Sequence, residues 1–270
     1  MTVHMTRNDM VNVLENPVGH DVSWDFDKRL AMSFSKLKTF AQCPRQYQAK
    51  FITKTAPYHE TAATIWGNDV HKAMENFIKE GTPLPSRMKH FQPMADAIIR
   101  AEERAYQEGR LETELFAEQK WAIDLTGRAC GYFDKDVWLR GQADYGYATK
   151  RKLHVNDFKT GKGKYPDTEQ IEAMALLAVG RPEFYSHTVV EGKLLFLEAN
   201  KVERLEVDVG VGPARNELLR KWQAKTFKVL EAYQNDSWQE NPTPLCGWCP
   251  VTECPHNTVA ERERRELKKR

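Results

Sequence analysis

The chain has 270 residues, a length that fits one large domain or two small ones and allows a sizeable core. Hydrophobic residues make up 41% of it and charged residues 29%, as is typical of a soluble globular protein. The formal net charge is only +2. The overall charge therefore does not indicate a nucleic-acid partner, and any basic surface must be local.

The sequence predicts neither a secretory leader nor a membrane partner. Residues 1–29 lack the apolar core of about 7–15 residues that a signal peptide needs. No apolar run approaches the roughly 18 residues of a membrane span. We therefore expect an intracellular, cytoplasmic protein. In a reducing compartment, the five cysteines are expected to be metal ligands or bystanders rather than disulfides.

The first third of the chain has helical patterns. Residues 1–30 are polar and are expected to be a poorly ordered segment. A helix is predicted over 33–52, where serines offer an N-cap and Pro44 interrupts the pattern. A second helix is predicted over 67–81, and a third over about 91–109.

The remaining chain alternates strands and helices. Strands are predicted over 115–125, 135–148 and 152–160, a helix over 167–182 begun by Asp167 and ended by Gly180, one or two strands over 187–209, and a long helix over 213–238. This order favours an α/β fold with a mixed central sheet flanked by helices and an N-terminal helical segment. We expect one domain over 31–256, followed by a charged tail over 257–270.

The strand within "LHVNDFKTGKGKY" carries an acid and a lysine where its apolar face ends. Because strand side chains alternate, Leu153, Val155, Asp157 and Lys159 share one face. An arbitrary Asp-x-Lys tripeptide is usually a solvated strand end. Here the charged pair continues an apolar face, which favours a functional role.

A second acid is expected directly across from Asp157. If strands two and three form a hairpin with a two-residue turn at Lys150-Arg151, Asp144 lies opposite Asp157. The turn lacks the Asn-Gly or Asp-Gly pair of the tightest hairpins, so this register is a hypothesis. Two facing carboxylates repel each other unless a cation lies between them, and hard oxygen ligands favour Mg²⁺, Mn²⁺ or Ca²⁺.

Several motifs in order resemble the PD-(D/E)xK nuclease superfamily, in particular its RecB-like and Cas4-like exonuclease branch. They cover about residues 33–256 and are "SFSKLKTFAQCPRQYQAKFI", "GNDVHKAMENF", "GQADYGYATKRKLHVNDFKTGK", "EQIEAMALLA" and "CGWCPVTECP". The resemblance implies the restriction-endonuclease-like core of that superfamily and a catalytic site with Mg²⁺ or Mn²⁺. It implies that Asp144 and Asp157 bind the metal and that Lys159 positions or polarises the attacking water.

Three further residues take roles by the same resemblance, each with an ordinary alternative. His71 matches the additional metal ligand of this branch, although a lone helix histidine is usually a packed one. Glu118 matches an auxiliary acid on the preceding strand, or is simply a surface acid. Gln170 matches a glutamine that contacts the lysine or the DNA, but its spacing from Asp167 also fits a capping box.

The C-terminal segment "CGWCPVTEC" has cysteines at metal-ligand spacing, namely Cys246, Cys249 and Cys254. The resemblance supplies Cys43 as a distant fourth ligand and implies a structural [4Fe–4S] cluster. Zn²⁺ in a four-cysteine site is the alternative, and His256 is an alternative fourth ligand.

The resemblance implies a metal-dependent DNA exonuclease acting on single strands or free ends. Its pathway would be recombination, repair, or phage or CRISPR-type DNA processing, with recombination or replication proteins as partners. The alternative is a DNA-binding or scaffold protein that keeps the fold without cleaving. "TGKGK" does not match a phosphate-cradling loop, so no ATP motor is predicted.

Overall fold

The computed structural model describes residues 30–56, 60–113, 115–258 and 266. Its helices are α1 (Phe34–Gln42), α2 (Pro44–Tyr47), α3 (Ala62–Glu80), α4 (Gln92–Gln107), α5 (Glu169–Val179) and α6 (Pro213–Gln234). Its strands are β1 (Phe116–Ile123), β2 (Leu139–Ala148), β3 (Leu153–Lys159), β4 (Val189–Phe196) and β5 (Lys201–Asp208). Within the described ranges, no helix has both the length and the apolarity to span a membrane.

The chain forms two compact units by its internal contacts. One contains the described part of residues 61–222, and the other contains the described parts of residues 27–60 and 223–270. The sheet lies in the first unit, and all of the cysteines except Cys130 lie in the second. The single domain over 31–256 stays a prediction. Most of the two terminal segments, 1–30 and 257–270, lies outside the described residues.

The five strands form one mixed sheet in the order β1-β2-β3-β4-β5. Only β3 and β4 are parallel, and α5 connects them, while the other neighbours are antiparallel. A parallel pair needs such a crossover because the chain must return to the same end of the sheet. The predicted α/β fold with a mixed central sheet is confirmed.

Helices cover the two faces of this sheet. Val70 and Met74 of α3 pack in one hydrophobic cluster with Tyr145 and Phe158 of the sheet. On the opposite face, α5 lies so close to β4 that a Cβ added at Gly192 would be 2.1 Å from Ile171. From Ile171 to Val179, every α5 residue except Glu172 is buried, which explains why this part of the helix is almost entirely apolar.

Element boundaries differ from the predictions where side chains cap or pack. Helix α3 begins five residues early, at Ala62, because the Thr61 side chain accepts a hydrogen bond from the backbone N–H of Thr64. Helix α5 is capped at Thr168 rather than Asp167. Gly180 ends α5 as predicted; it has φ −68°, and an added Cβ there would lie 2.5 Å from Ile123.

The hairpin register between β2 and β3 is confirmed. Tyr145 pairs with Asn156, and the ladder ends with Ala148 opposite Leu153. The Thr149 N–H donates to the carbonyl of Lys152 at 2.9 Å, which leaves Lys150 and Arg151 as the two residues of the turn. Thr149 stabilises this turn, which lacks the usual Asn-Gly or Asp-Gly pair. Its hydroxyl donates to the carbonyl of Lys152 at 2.9 Å and accepts from the N–H of Lys152 at 3.1 Å.

The second unit joins the N-terminal helices to the C-terminal segment. Tyr47 is fully buried, and its ring stacks on Trp238 with the ring centroids 6.0 Å apart. The Asn241 side chain donates to the carbonyl of Gln42, and the Arg45 N–H donates to the carbonyl of Gln239. These contacts bring residues 42–47 next to the strand-free segment that carries the last three cysteines.

Candidate metal centre

Three acids lie abreast on three neighbouring strands. Glu118 lies between the pairs Ala117–Tyr145 and Gln119–Ala143, which puts it across from Asp144. Asp144 and Asp157 occupy the next position beyond the Tyr145–Asn156 pair. Asp144 and Asp157 are only 5% and 9% exposed. Such buried carboxylates need compensation by protons, cations or hydrogen bonds.

The backbone of β1 is irregular at Glu118, which has φ 54°. Regular alternation would put Phe116 and Trp121 on opposite faces, yet both rings pack against Phe184. The left-handed residue therefore breaks the alternation at the level of the acids. Non-glycine residues in this region cost on the order of 1–3 kcal/mol, and such strain is concentrated at functional sites.

His71 of α3 points one ring nitrogen at a backbone carbonyl and the other at an acid. Its Nε2 lies 3.1 Å from the carbonyl oxygen of Phe158, which can only accept, so Nε2 carries a proton. Its Nδ1 lies 3.3 Å from Oδ1 of Asp144. In the neutral ring Nδ1 has a lone pair, so this contact needs a second proton or a shared cation. Metal-binding histidines commonly donate their other N–H to a carbonyl in this way.

His71, Glu118 and Asp144 together fit a divalent cation. One ligand atom from each lies within 4.8 Å of the others, and within the described part of the chain no other set of three His, Cys, Asp or Glu residues meets this condition. The other oxygen of Asp144, Oδ2, accepts a 2.6 Å hydrogen bond from the Phe158 N–H, which fixes the carboxylate. One nitrogen and two carboxylates are a donor set that suits Mn²⁺ and Mg²⁺.

An open groove leads to these ligands. It is lined by Glu118, Gln142, Thr160 and one side of α3, including Gly67, Asn68 and His71. Most of the side chains that line it are polar.

The comparison with protein families agrees with this arrangement. The family model described as PD-(D/E)XK nuclease superfamily matches residues 31–254. The chain belongs to this superfamily. No curated protein matches the chain. Among solved structures, a crystal structure of SSO0001 is similar over 93% of this chain and 96% of that chain, with 12% identity and a TM-score of 0.41. Membership therefore rests on the family model.

Asp157 is held by two side chains. Gln170 of α5 donates from its amide to Oδ1 at 2.5 Å. The Lys159 Nζ lies 2.6 Å from Oδ2. This ion pair and the amide of Gln170 hold the two oxygens of the carboxylate. Gln170 thus contacts the acid, not the lysine, and its side chain does not cap α5.

Charge crowding shifts the pKa values of the nuclease site. Burial, together with the charge of Asp144, raises the pKa of Asp157 to about 6. Burial and the same charge raise the pKa of Glu118 to about 7. Burial lowers the pKa of His71, but the hydrogen bond and charge of Asp144 outweigh it, so the pKa is raised. The site holds extra protons that a cation would displace.

The four predicted cluster cysteines line one cavity of the second unit, together with Arg45, Gln46 and His256. Gln46 Nε2 donates to the sulfur of Cys249 at 3.7 Å, although the two residues are 203 positions apart. Burial raises the pKa of the Cys249 thiol, and Cys43, Cys254 and Cys246 add to the increase. His256 Nε2 lies 3.3 Å from Glu240.

The structure thus brings Asp144, Asp157, His71, Glu118 and the side chains of Lys159 and Gln170 to one site. Sequence analysis missed the contribution of the Phe158 backbone, which holds Asp144 through its N–H and His71 through its carbonyl. Its only signal in the sequence is its position between Asp157 and Lys159, because main-chain groups have no residue-specific pattern.

Proposed function

We propose that this chain is a divalent-metal-dependent deoxyribonuclease of the exonuclease type. The observation that carries the proposal is the convergence of a histidine and three acids at one level of the sheet, with Lys159 two residues beyond the last acid. The same side chains have no evident role in packing, because their charges repel and their pKa values are raised.

His71, Glu118 and Asp144 would hold the cation, with Asp157 as the adjoining acid. The spacing favours Glu118 as a ligand rather than an ordinary surface acid. A divalent cation there would neutralise charge on the scissile phosphate and lower the pKa of a water molecule. Gln170 orients Asp157 by its hydrogen bond. The Lys159 side chain is 32% exposed, so its ammonium can reach a bound phosphate or the attacking water.

The test is cleavage by the purified full chain. Wild-type protein with Mn²⁺ or Mg²⁺ should shorten end-labelled single-stranded DNA stepwise and leave circular single-stranded DNA intact. Lys159→Ala is the matched inactive control, because it keeps the acids that bind the cation. Cleavage of the circle would indicate an endonuclease. No cleavage of either substrate, together with retained DNA binding, would favour the scaffold alternative.

We further propose a [4Fe–4S] cluster held by Cys43, Cys246, Cys249 and Cys254. A tetrahedral Zn²⁺ with bonds of about 2.3 Å would bring the four sulfurs within about 4 Å of one another. The four cysteines line one cavity of the second unit, as the ligands of a single cluster would. Nε2 of His256 faces Glu240, which supports Cys43 as the fourth ligand.

Anaerobically purified protein should then be brown and contain iron and sulfide in about equal amounts. Colourless protein with one zinc per chain would contradict the iron–sulfur assignment. The RecB-like and Cas4-like branch, single strands or free ends as substrate, and a role in recombination, repair or phage or CRISPR-type processing belong to the same proposal. They are supported by the order of the motifs in the sequence.

A further inference from the structure

In the loop that connects β1 and β2, the partly buried Tyr132 and the exposed Phe133 lie near two cations. Phe133 is 76% exposed and meets Tyr132 edge to face, with ring centroids 5.1 Å apart. The Arg140 guanidinium lies 5.1 Å from the Tyr132 centroid and 5.9 Å from that of Phe133. The Lys120 ammonium lies 5.9 Å from Tyr132. A single exposed phenylalanine is ordinary, but cation–π contacts hold this ring in place, as expected of a binding surface.

This surface continues the groove of the candidate metal centre. Lys120 pairs directly with Gln142, which lines the groove, so both side chains are on the same face of the sheet. Arg140 precedes Gln142 by two residues and shares that face, whereas Gly141 between them faces Leu177 of α5. Arg140 therefore lies two strand repeats, roughly 13 Å, from Asp144 along β2.

The charges on this surface are available to a ligand. Arg87 of the same unit pairs with Asp69, whereas within the described residues neither Lys120 nor Arg140 has an ion pair. Arg140 donates to the carbonyl of Tyr132, at 3.2 Å. The neighbouring Asp134 is turned back onto the N–H of Gly131.

We propose that Lys120, Tyr132, Phe133 and Arg140 form a binding track for single-stranded DNA that leads into the groove. Phe133 offers its face to an unpaired base, and Lys120 and Arg140 contact phosphates on either side. Stacking requires a base that is not already covered by its neighbours in a duplex, so the track selects single strands. That the bound DNA leads to the metal centre rests on the proposed nuclease function, whereas the binding of single-stranded DNA does not.

The test measures binding of fluorescent oligothymidylate by anisotropy, with EDTA to prevent cleavage. Phe133→Ala should weaken binding about 5- to 100-fold, the loss of one base–aromatic stack. Phe133→Tyr should restore it. Lys120→Gln should reduce the slope of log affinity against log salt by about 0.7, the value for one phosphate contact on a single strand. Tyr106→Ala on α4 is the matched control, because Tyr106 is 72% exposed and lies outside the track.

Blunt duplex DNA should bind equally well to wild type and Phe133→Ala. Equal single-strand affinity for wild type and Phe133→Ala, an unchanged salt slope for Lys120→Gln, or an equal loss in Tyr106→Ala would each overturn the track. Binding is measured here separately from cleavage, so the two proposals can fail independently. A wild type that cleaves no DNA but shows these binding effects would contradict the nuclease proposal and support the track. A wild type that cleaves DNA but lacks these binding effects would support the nuclease proposal and overturn the track.

Discussion

Replacing Asp157 by asparagine should stabilise the metal-free protein while abolishing cleavage. Asparagine keeps the shape of the side chain and can accept the hydrogen bond from Gln170 through its amide oxygen. It removes a charge that burial and Asp144 disfavour. Lys159 offsets part of that cost, and the raised pKa of Asp157 is the net result. A higher stability of the variant would mean that the wild-type carboxylate lowers the stability of the metal-free protein, as is common at functional sites.

The size of the gain follows from the pKa. Asp157 rises from 3.8 to about 6, roughly two units, and each unit corresponds to about 1.4 kcal/mol, so ionised Asp157 costs about 3 kcal/mol. The folded state binds the proton more tightly than the unfolded state. Wild-type stability is therefore lost as pH rises from about 4 through about 6, and the asparagine variant does not share this loss. For a chain of this length the difference corresponds to roughly 5–10 °C in Tm.

Thermal unfolding followed by circular dichroism in EDTA at pH 8 and near pH 4 measures this difference. The variant should melt higher at pH 8, and the gap should shrink towards pH 4. Mn²⁺ should raise the Tm of wild type more than that of the variant, because the cation offsets the repulsion. A variant that melts lower than wild type at pH 8, or a gap independent of pH, would refute the electrostatic account of the site.

The other predictions concern single side chains of the two centres. Lys159→Ala should lower the cleavage rate at least about 100-fold without changing the far-ultraviolet circular dichroism, since the lysine acts on the reacting phosphate. His71→Ala should raise the Mn²⁺ midpoint of activity roughly 10- to 100-fold, and an unchanged midpoint would return His71 to a packing role. In wild type the Mn²⁺ midpoint should fall as pH rises from 6 to 8, because Glu118, with its pKa of about 7, must lose its proton to bind. Glu118→Gln should flatten that dependence, and a persistent slope would count against Glu118 as a ligand. Cys43→Ala should lose both colour and several degrees of Tm, whereas Cys130→Ala should keep both; retained metal in Cys43→Ala would point to His256 instead.

The sequence determined most of the elements and one decisive register. Alternation over 153–159 and the two-residue turn at Lys150-Arg151 were enough to predict that Asp144 faces Asp157. This succeeds because side-chain direction in strands depends on local periodicity and because a short turn fixes the pairing of its two strands. The start of α3 was missed, since the Thr61 cap begins the helix five residues before the predicted start at residue 67.

Only the tertiary structure decided how the site is completed. The sequence could not show that Glu118 adopts φ 54° across from Asp144, that His71 reaches Asp144 from a helix, or that Gln170 holds Asp157 rather than capping its own helix. Such contacts join residues far apart in the chain, and the packing of α3 and α5 on opposite faces of the sheet sets their distances. Local periodicity places each acid on its strand, but the shared site exists only where strands, helices and the Phe158 backbone meet.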